Sequence, residues 1–559
     1  MTLTGCTSVP SDDFFYQENS LLSLFNNEGD KRSVHNKELA AKINLDEKEE
    51  SPCSCSSTSE DTFSDGHTTD GEVSITTNDA NDGFYSCGIG KPTQMYPPDC
   101  YPVGGFGYGY NQTLSDVRAY TQAVLASNIE VFDAHAFGSI AEFARSRIDN
   151  GLAPGSFLIC NMSTLTSQFN LWRRELPMIE PFYAVKCNPD PAILRVLASL
   201  GCGFDCATMG EIDLVLNGLG DSLSFGRKAQ ATNKIVYANP AKMVHMIEYA
   251  INNEVQLTVF DGEDELYKMA SLPGHEKLKL LLRLTTDDKD SVCRFSKKFG
   301  CPVEEAEALL EVAKELGLHV AGVSFHVGSG CGDAHAYTKA LSDACSVFKL
   351  GEQLGMEPMT VIDIGGGFPG DNTIYGADRL PNFTELASAI RNGISTFLGS
   401  LNRSSNDIRF IAEPGRFFVS SSTTIVTKVY SRKGGKQDFQ ALYVDDGVYG
   451  SFNNVVYDHA LPVPKKLDDE AEFMRKSRLA AKSKSGENVT QDVDHIIPTA
   501  VFGPTCDGLD QMCSLENTKL NRCQVGDWLI WENQGAYTHT ASFVFNGYTH
   551  VPCKFYVTV

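Results

Sequence analysis

The sequence predicts an α/β protein: a (β/α)8 barrel with a separate β domain, preceded by an acidic N-terminal tail that is disordered. Three observations lead there. Between about residues 155 and 421, eight short apolar runs alternate with amphipathic helical segments. Beyond 422, β-rich runs follow one another with turn signals and no long helix between them. The first 100 residues carry 18 acidic and 6 basic side chains, a net −12, so half of the chain's net charge of −24 sits in under a fifth of its 559 residues.

The elements follow in order. Residues 1–112 include "EKEESPCSCSSTSEDTFSDGHTTDGE", whose Ser, Thr, Asp and Glu cannot bury enough apolar surface to fold, and end in the Gly/Tyr linker "YPVGGFGYGYN". Such a tail is either a passive solvated segment or a target for phosphorylation or turnover. Residues 155–421 are assigned to the barrel and 422–559 to a separate β domain. The charged, lysine-rich stretch near 461–498 reads as a mobile insert.

The bulk numbers exclude several classes. The strong negative charge argues against a nucleic-acid partner. No apolar stretch reaches the length of a membrane span. The start, "MTLTGCTSVPSDDFFYQ", has neither a basic region nor an apolar core, so no secretory signal is expected. Seventeen cysteines, an odd number, then fit reduced thiols in the cytoplasm better than a disulfide framework. Cys53-Ser-Cys55 has the wrong spacing for zinc, and no metal site is expected.

The barrel runs are "PFYAVKC", "CGFDCA", "KIVYANP", "VQLTVFDG", "LKLLLRLT", "HVAGVSFHVG", "TVIDIGGG" and "RFIAEPG". A doubly wound open sheet is the alternative, since periodicity cannot separate the two. At their carboxyl ends stand Lys186, Asp205, Asn239, Asp261, Arg283, His326, Gly365 and Glu413. Barrel enzymes build their sites on that rim. Any one polar strand end is weak evidence; together they mark one face as a site.

Lys186 closes an apolar strand. It is either a surface lysine or one that is paired or chemically used. "DIGGGFPGD" offers Gly365, Gly366 and Gly367, whose backbone N–H groups can close on an anion; it lacks the P-loop ending and the Rossmann spacing. "AEPGRFF" places Arg416 three residues past Glu413, beyond the eighth strand, where barrels often bind phosphate. A lysine, an acid and a phosphate cradle together suit pyridoxal phosphate. That cofactor forms a Schiff base with a lysine and needs an acid at its pyridine nitrogen. His326 can stack on the ring, or be a packed structural histidine. Ser329 can bond the phosphate.

"PFYAVKCN", "FDCA", "YANP", "SFHVGSGC", "DIGGGFPG", "AEPGRFF", "DDGVYGSFN", "YDHA", "GPTCDGLD" and "ENQGAYT" together strongly resemble the eukaryotic ornithine decarboxylases, over about residues 130–559. The resemblance implies an alanine-racemase-like barrel plus a β domain built from sequence on both sides of it, with residues 113–154 as its N-terminal part. It implies pyridoxal-phosphate-dependent decarboxylation of L-ornithine to putrescine and CO2, the first step of polyamine biosynthesis, by a homodimer with shared active sites. Lys186 would hold the cofactor, near Asp205 and Glu211. Glu413 would pair with the ring nitrogen and His326 would stack. Ser329, the three glycines, Arg416 and Tyr537 would hold the phosphate. Asp458 and Asp507 would receive the distal ammonium of the substrate, beside Tyr457 and Phe545. Cys506 would act after loss of CO2, with Cys506 and Asp507 supplied by the partner subunit. Arg294 matches a family position of less defined role.

The sequence departs from the family at Asn454, in the insert "SFGRKAQATN" (residues 224–233) and in the long 460–499 segment. The first insert bears on binding of antizyme, the family's inhibitory partner. The second bears on gating or substrate preference. Two other readings stand beside the first: a related basic amino acid decarboxylase, lysine above all, or a non-catalytic homologue that binds antizyme. The second should have lost catalytic residues, and Lys186, Glu413, Arg416, Cys506 and Asp507 are present.

Overall fold

The eight apolar runs become eight parallel strands closed into a barrel: β1 (Ile179–Ala184), β2 (Gly203–Cys206), β3 (Ile235–Tyr237), β4 (Leu257–Phe260), β5 (Lys279–Leu284), β6 (Val320–Phe325), β7 (Val361–Asp363) and β8 (Arg409–Ala412). β8 pairs back onto β1 through Phe410 and Ile179, which closes the ring and excludes the open sheet. The computed structural model describes residues 131–133, 136–217, 233–370, 380–434, 438–483, 496–548 and 552–558. The acidic tail, the Gly/Tyr linker and residues 224–232 of the first insert lie outside the described residues.

Alternation of side chains along these strands makes two cores. Phe182, Val236, Val259, Leu281, Ala321 and Ile411 fill the barrel interior, while the opposite faces meet the surrounding helices. Gly322 on β6 is dictated by packing: a Cβ there would drive into the carbonyl of Val361 on β7. Trp172, on the helix Met162–Glu175, anchors the helical layer. Its ring lies 4.8 Å from Phe368, 5.6 Å from Phe383 and 5.5 Å from Phe417, and its indole N–H donates to the Ile179 carbonyl at 3.0 Å.

The β domain is a ten-stranded sheet drawn from both sides of the barrel. Its main path runs Val131–Asp133, Cys553–Thr558, Phe157–Asn161, Thr423–Lys433, Gln440–Val444, Ile496–Phe502 and Gln511–Cys513. The strand Phe157–Asn161 thus belongs to this sheet, pairing with Cys553–Thr558 and Thr423–Lys433, although the expected boundary at 155 gave it to the barrel. Locally it is an apolar run like the barrel strands, and only its distant partners tell it apart.

The stretch expected to be a mobile insert is a second correction. Pro464–Lys466 forms a strand against Trp528–Trp531, and Leu467–Ser483 forms a helix with Asp468, Asp469 and Glu470 in its first turn, where the helix dipole favours acids. Residues 484–495 lie outside the described residues. This helix packs on Ile140–Asp149 through an apolar cluster in which Leu467 and Ala471 join Phe143 and Ala144, and through charge: Arg478 clasps Glu142 with bonds of 2.6 and 2.8 Å, and Arg145 meets Asp468. Ionic anchors leave little apolar periodicity to read.

Candidate active site

Each strand delivers its last residues to one rim. β1 runs into the short turn Val185–Cys187, which holds Lys186; its amine lies 3.7 Å from Oδ2 of Asp205 at the end of β2. The Lys186 side chain keeps 41 % of its surface exposed, whereas the Asp205 side chain is buried to 1 %. Burial alone would lower the Lys186 pKa; the charges of Asp205 and Glu413 outweigh it and hold the amine above its usual range. Burial, and then the neighbouring Glu413, push the Asp205 carboxyl well above the carboxylate range. Glu211 is raised by burial, against a 2.6 Å hydrogen bond from the Ala207 N–H to its Oε2.

β5 contributes Arg283, a buried cation lying 5.2 Å from the Phe299 ring. β6 leads into His326. Its Nδ1 accepts from the Gly328 N–H at 3.0 Å, and its ring packs edge-on against Phe295 at 4.7 Å. Burial, then Arg283 and Lys186, hold its pKa well below the usual range, so the ring is neutral with its proton on Nε2.

β7 and β8 carry the acid and the cradle. Glu413 is buried at the end of β8, and its backbone N–H donates to the Gly365 carbonyl at 2.7 Å. The glycines are forced by space. A Cβ on Gly366 would sit 2.7 Å from His326 Nε2, and Gly365 and Gly367 take the positive φ values of 63° and 104°. Beyond β8, Arg416 is 3 % exposed, donates to the Ser329 hydroxyl at 3.3 Å and lies 5.0 Å from the Tyr537 ring. Tyr537 is tied down by its own N–H donating to the Cys187 carbonyl at 3.0 Å.

The structure therefore gathers Lys186, Asp205, Glu211, His326, Ser329, Gly365, Gly366, Gly367, Glu413, Arg416 and Tyr537 at one barrel mouth. Asp458 joins this group through a 2.6 Å ion pair with Arg416, and the Cys293 thiol lies 3.5 Å from its Oδ1. The other expected residues form a second group on the β domain. Asp507 accepts from the Tyr449 hydroxyl, a bond that holds its carboxyl below the usual range. Phe545 stacks on Tyr449 at 4.3 Å, and the Cys506 N–H donates to Asn546 at 3.1 Å. Cys506 is the exposed cysteine among the described residues, and Tyr457 is 61 % exposed. Arg294 is turned outward, donating to the Lys289 carbonyl.

Two residues were missed as members of the site. Arg283 stood on the rim without a role; an arginine inside "LLLRL" was the signal. Asp363 was read only as the start of the glycine loop, yet it is fully buried against Glu413.

Electrostatics test the fit of a pyridoxal group. Four carboxyls, of Asp205, Glu211, Asp363 and Glu413, face two cations, Lys186 and Arg283. Both Asp205 oxygens and Oε1 of Glu413 are buried without a hydrogen-bond donor from the chain. Leaving such an acceptor unmet costs about 1–3 kcal/mol, and a protonated ring nitrogen is the donor it lacks. The glycine loop and Arg416 complement a phosphate. The residues fit the group.

The comparisons agree. Residues 162–420 match the family described as pyridoxal-dependent decarboxylase, pyridoxal binding domain. Ornithine decarboxylase of Rattus norvegicus is 40 % identical over 415 residues, covering 72 % of this chain and 80 % of the relative. Antizyme inhibitor 2 of Xenopus laevis is 38 % identical over 411 residues, with the same coverages of 72 % and 80 %. Among solved structures, the arginine decarboxylase of Paramecium bursaria Chlorella virus bound to agmatine superposes with a TM-score of 0.63 at 27 % identity, covering 74 % of this chain and 99 % of that one. A barrel rim built for a pyridoxal group, in a chain this similar over this span, belongs to the family of pyridoxal-dependent decarboxylases that includes ornithine decarboxylase.

Proposed function

We propose that this chain decarboxylates L-ornithine to putrescine and CO2. The observation that carries the proposal is the convergence of Lys186, Glu413 and the Gly365–Arg416 cradle on one rim, in a chain 40 % identical to the rat ornithine decarboxylase. When bound, pyridoxal phosphate supplies the electron sink for the carbanion left by CO2.

The residues divide the remaining work. Lys186 attaches the cofactor, its amine 3.7 Å from Oδ2 of Asp205. Gly365, Gly366, Gly367, Ser329, Arg416 and Tyr537 orient the phosphate. Glu413, with no other donor at Oε1, holds a proton at the ring nitrogen. Neutral His326 would stack on the ring without opposing its positive charge. Asp458 and Asp507 recognise the distal ammonium and repel a distal carboxylate. Asp458 pairs with Arg416 in this chain, so its reach to substrate requires that carboxylate to serve both groups.

Cys506 and Asp507 act in the site of a partner subunit in a homodimer. Their exposure supports this, as do the apolar side chains beside them: Leu509 is 70 % exposed, Val544 65 % and Phe543 44 %. Cys506 then returns a proton to Cα. Among the described residues no helix is long and apolar enough to cross a membrane, and we place the enzyme in the cytoplasm.

The likeness to antizyme inhibitor 2 keeps a second reading in view, a binding protein without catalysis. The intact set Lys186, Glu413, Arg416, Cys506 and Asp507 favours the enzyme, and antizyme is then a regulatory partner. CO2 release from L-ornithine, L-lysine and L-arginine by the purified protein with pyridoxal phosphate tests these readings. Release from ornithine supports the proposal. Preference for lysine or arginine moves the substrate, and no release with the cofactor bound favours the binding protein.

A further inference from the structure

Asp363 is fully buried at the end of β7, side by side with Glu413 and within hydrogen-bonding reach of it. Its two oxygens are held by different donors. Oδ1 accepts from the Gly365 N–H at 2.9 Å and Oδ2 from the Ser324 hydroxyl at 3.3 Å. Glu413 Oε1 receives no such donor from the chain.

Two carboxyls in contact and out of water do not both ionise; they share a proton and titrate as a pair. The donors decide where the charge rests. An N–H and an O–H donate to Asp363, whereas Oε1 of Glu413 meets no donor from the chain and its ionised form is favoured only through the charges of Lys186 and Arg283. The charge settles on Asp363 and the proton on Glu413. Burial pushes Asp363 up to about 6 against its hydrogen bonds with Glu413 and Gly365, and burial and then the charge of Asp363 hold Glu413 well above its usual range. The other groups facing the pair are Asp205 beyond β1's neighbour β2, Lys186 beyond β1, Arg283 on β5 and neutral His326 beyond β6.

We propose that Asp363 is a positioning residue that keeps Glu413 protonated in the cofactor-free protein, so that the proton held at the ring nitrogen is supplied by this carboxyl pair rather than by solvent. The proposal rests on the pyridoxal phosphate reading of the site and deepens it. In the transfer, the O–H bond of Glu413 breaks and an N–H bond forms from the nitrogen lone pair. The O–H electron pair stays on Glu413 as its carboxylate charge, and nothing is oxidised or reduced. Asp363 stays ionised throughout, held by Gly365 and Ser324.

The test uses the full chain stripped of cofactor, at neutral pH. Infrared spectra read protonated buried carboxyls, and visible absorbance follows addition of pyridoxal phosphate. The wild type should show a protonated-carboxyl band that loses one carboxyl's intensity in Glu413→Gln and on cofactor addition. Asp363→Asn keeps the shape and offers Glu413 an amide N–H, so Glu413 ionises and that intensity should be missing from the start. On reconstitution in weak buffer, Asp363→Asn should then take up about one more proton per site than the wild type. Equal proton uptake overturns the proposal. If Asp363→Asn does not fold, Glu413→Gln decides alone: an undiminished band overturns the proposal. Failure of the wild type to bind cofactor overturns the reading of the site instead, and the band in the cofactor-free protein still decides where the proton lies.

Discussion

Gly366→Ala isolates the cradle from the rest of the fold. The new Cβ would sit 2.7 Å from His326 Nε2 and 2.9 Å from the Glu413 carbonyl oxygen. One neighbour is backbone, and the other is a ring pinned by Gly328 and Phe295. Overpacking of this kind costs about 1–3 kcal/mol. The cofactor-free protein can relieve the ring contact by swinging His326 aside, for the loss of one hydrogen bond, while the contact with the Glu413 carbonyl stays. With cofactor bound His326 would be needed on the ring, so the cost of the ring contact falls on binding. At about 1.4 kcal/mol per tenfold, pyridoxal phosphate affinity should fall about 5- to 150-fold, read by absorbance titration. Because the contact with the Glu413 backbone persists without cofactor, the thermal midpoint of the cofactor-free variant should fall as well. Gly399→Ala is the control: nothing lies within 4 Å of its Cβ, and it sits in the helix Phe383–Leu401, where alanine adds up to about 1 kcal/mol of stability. Cofactor affinity within twofold of wild type in Gly366→Ala would refute the reasoning.

Other predictions address separate layers of the molecule. Lys186→Ala should abolish both the visible absorbance of bound cofactor and CO2 release, and retained activity would remove Lys186 from the chemistry. Cys506→Ala should leave cofactor affinity unchanged and misdirect the proton after loss of CO2, so product analysis showing only putrescine at full rate would exclude that role. Trp172→Ala should cost about 3–5 kcal/mol in urea unfolding, and a loss under about 1 kcal/mol would mean that its aromatic neighbours close the gap. At the opposite end of the barrel, burial would raise Glu180, but hydrogen bonds and charge from Arg409 and then Lys234 hold it at about 2 against an ordinary 4.5. A depressed acid stabilises the fold above its unfolded value and loses that contribution as pH falls from 4.5 toward 2. Discounted for a side chain 36 % exposed, Glu180→Gln should lose about 1–2 kcal/mol at neutral pH and converge with wild type in acid; a gap that does not change with pH would contradict it.

What was legible in the sequence follows from where the information lies. Buried parallel strands read as unbroken apolar runs, so all eight barrel strands and their polar ends could be located before any pairing was known. The Phe157–Asn161 strand has the same local signature and was misassigned, because membership of a sheet is a property of partners. The helix Leu467–Ser483 was missed because its apolar anchors, Leu467 and Ala471, stand in its first turns and Arg478–Glu142 holds the rest by charge. In the site, residue types predicted Lys186, Glu413 and Arg416. They could not predict that Asp458 would pair with Arg416, or that Asp363 and Glu413 would touch, since both depend on side chains meeting across different strands.

The order of strands in the β domain also sets an order in time. Cys553–Thr558 lies between Val131–Asp133 and Phe157–Asn161, so a strand made after the barrel is an inner strand of a sheet whose first described strands emerged before it. The barrel has all its strands and can close while that sheet still has an open seam. Until Cys553–Thr558 arrives, Phe157–Asn161 exposes a bare hydrogen-bonding edge, the kind that invites pairing with another nascent chain. A translation product that stops short of Cys553 should therefore carry a closed barrel and a sticky sheet, and should aggregate through the sheet.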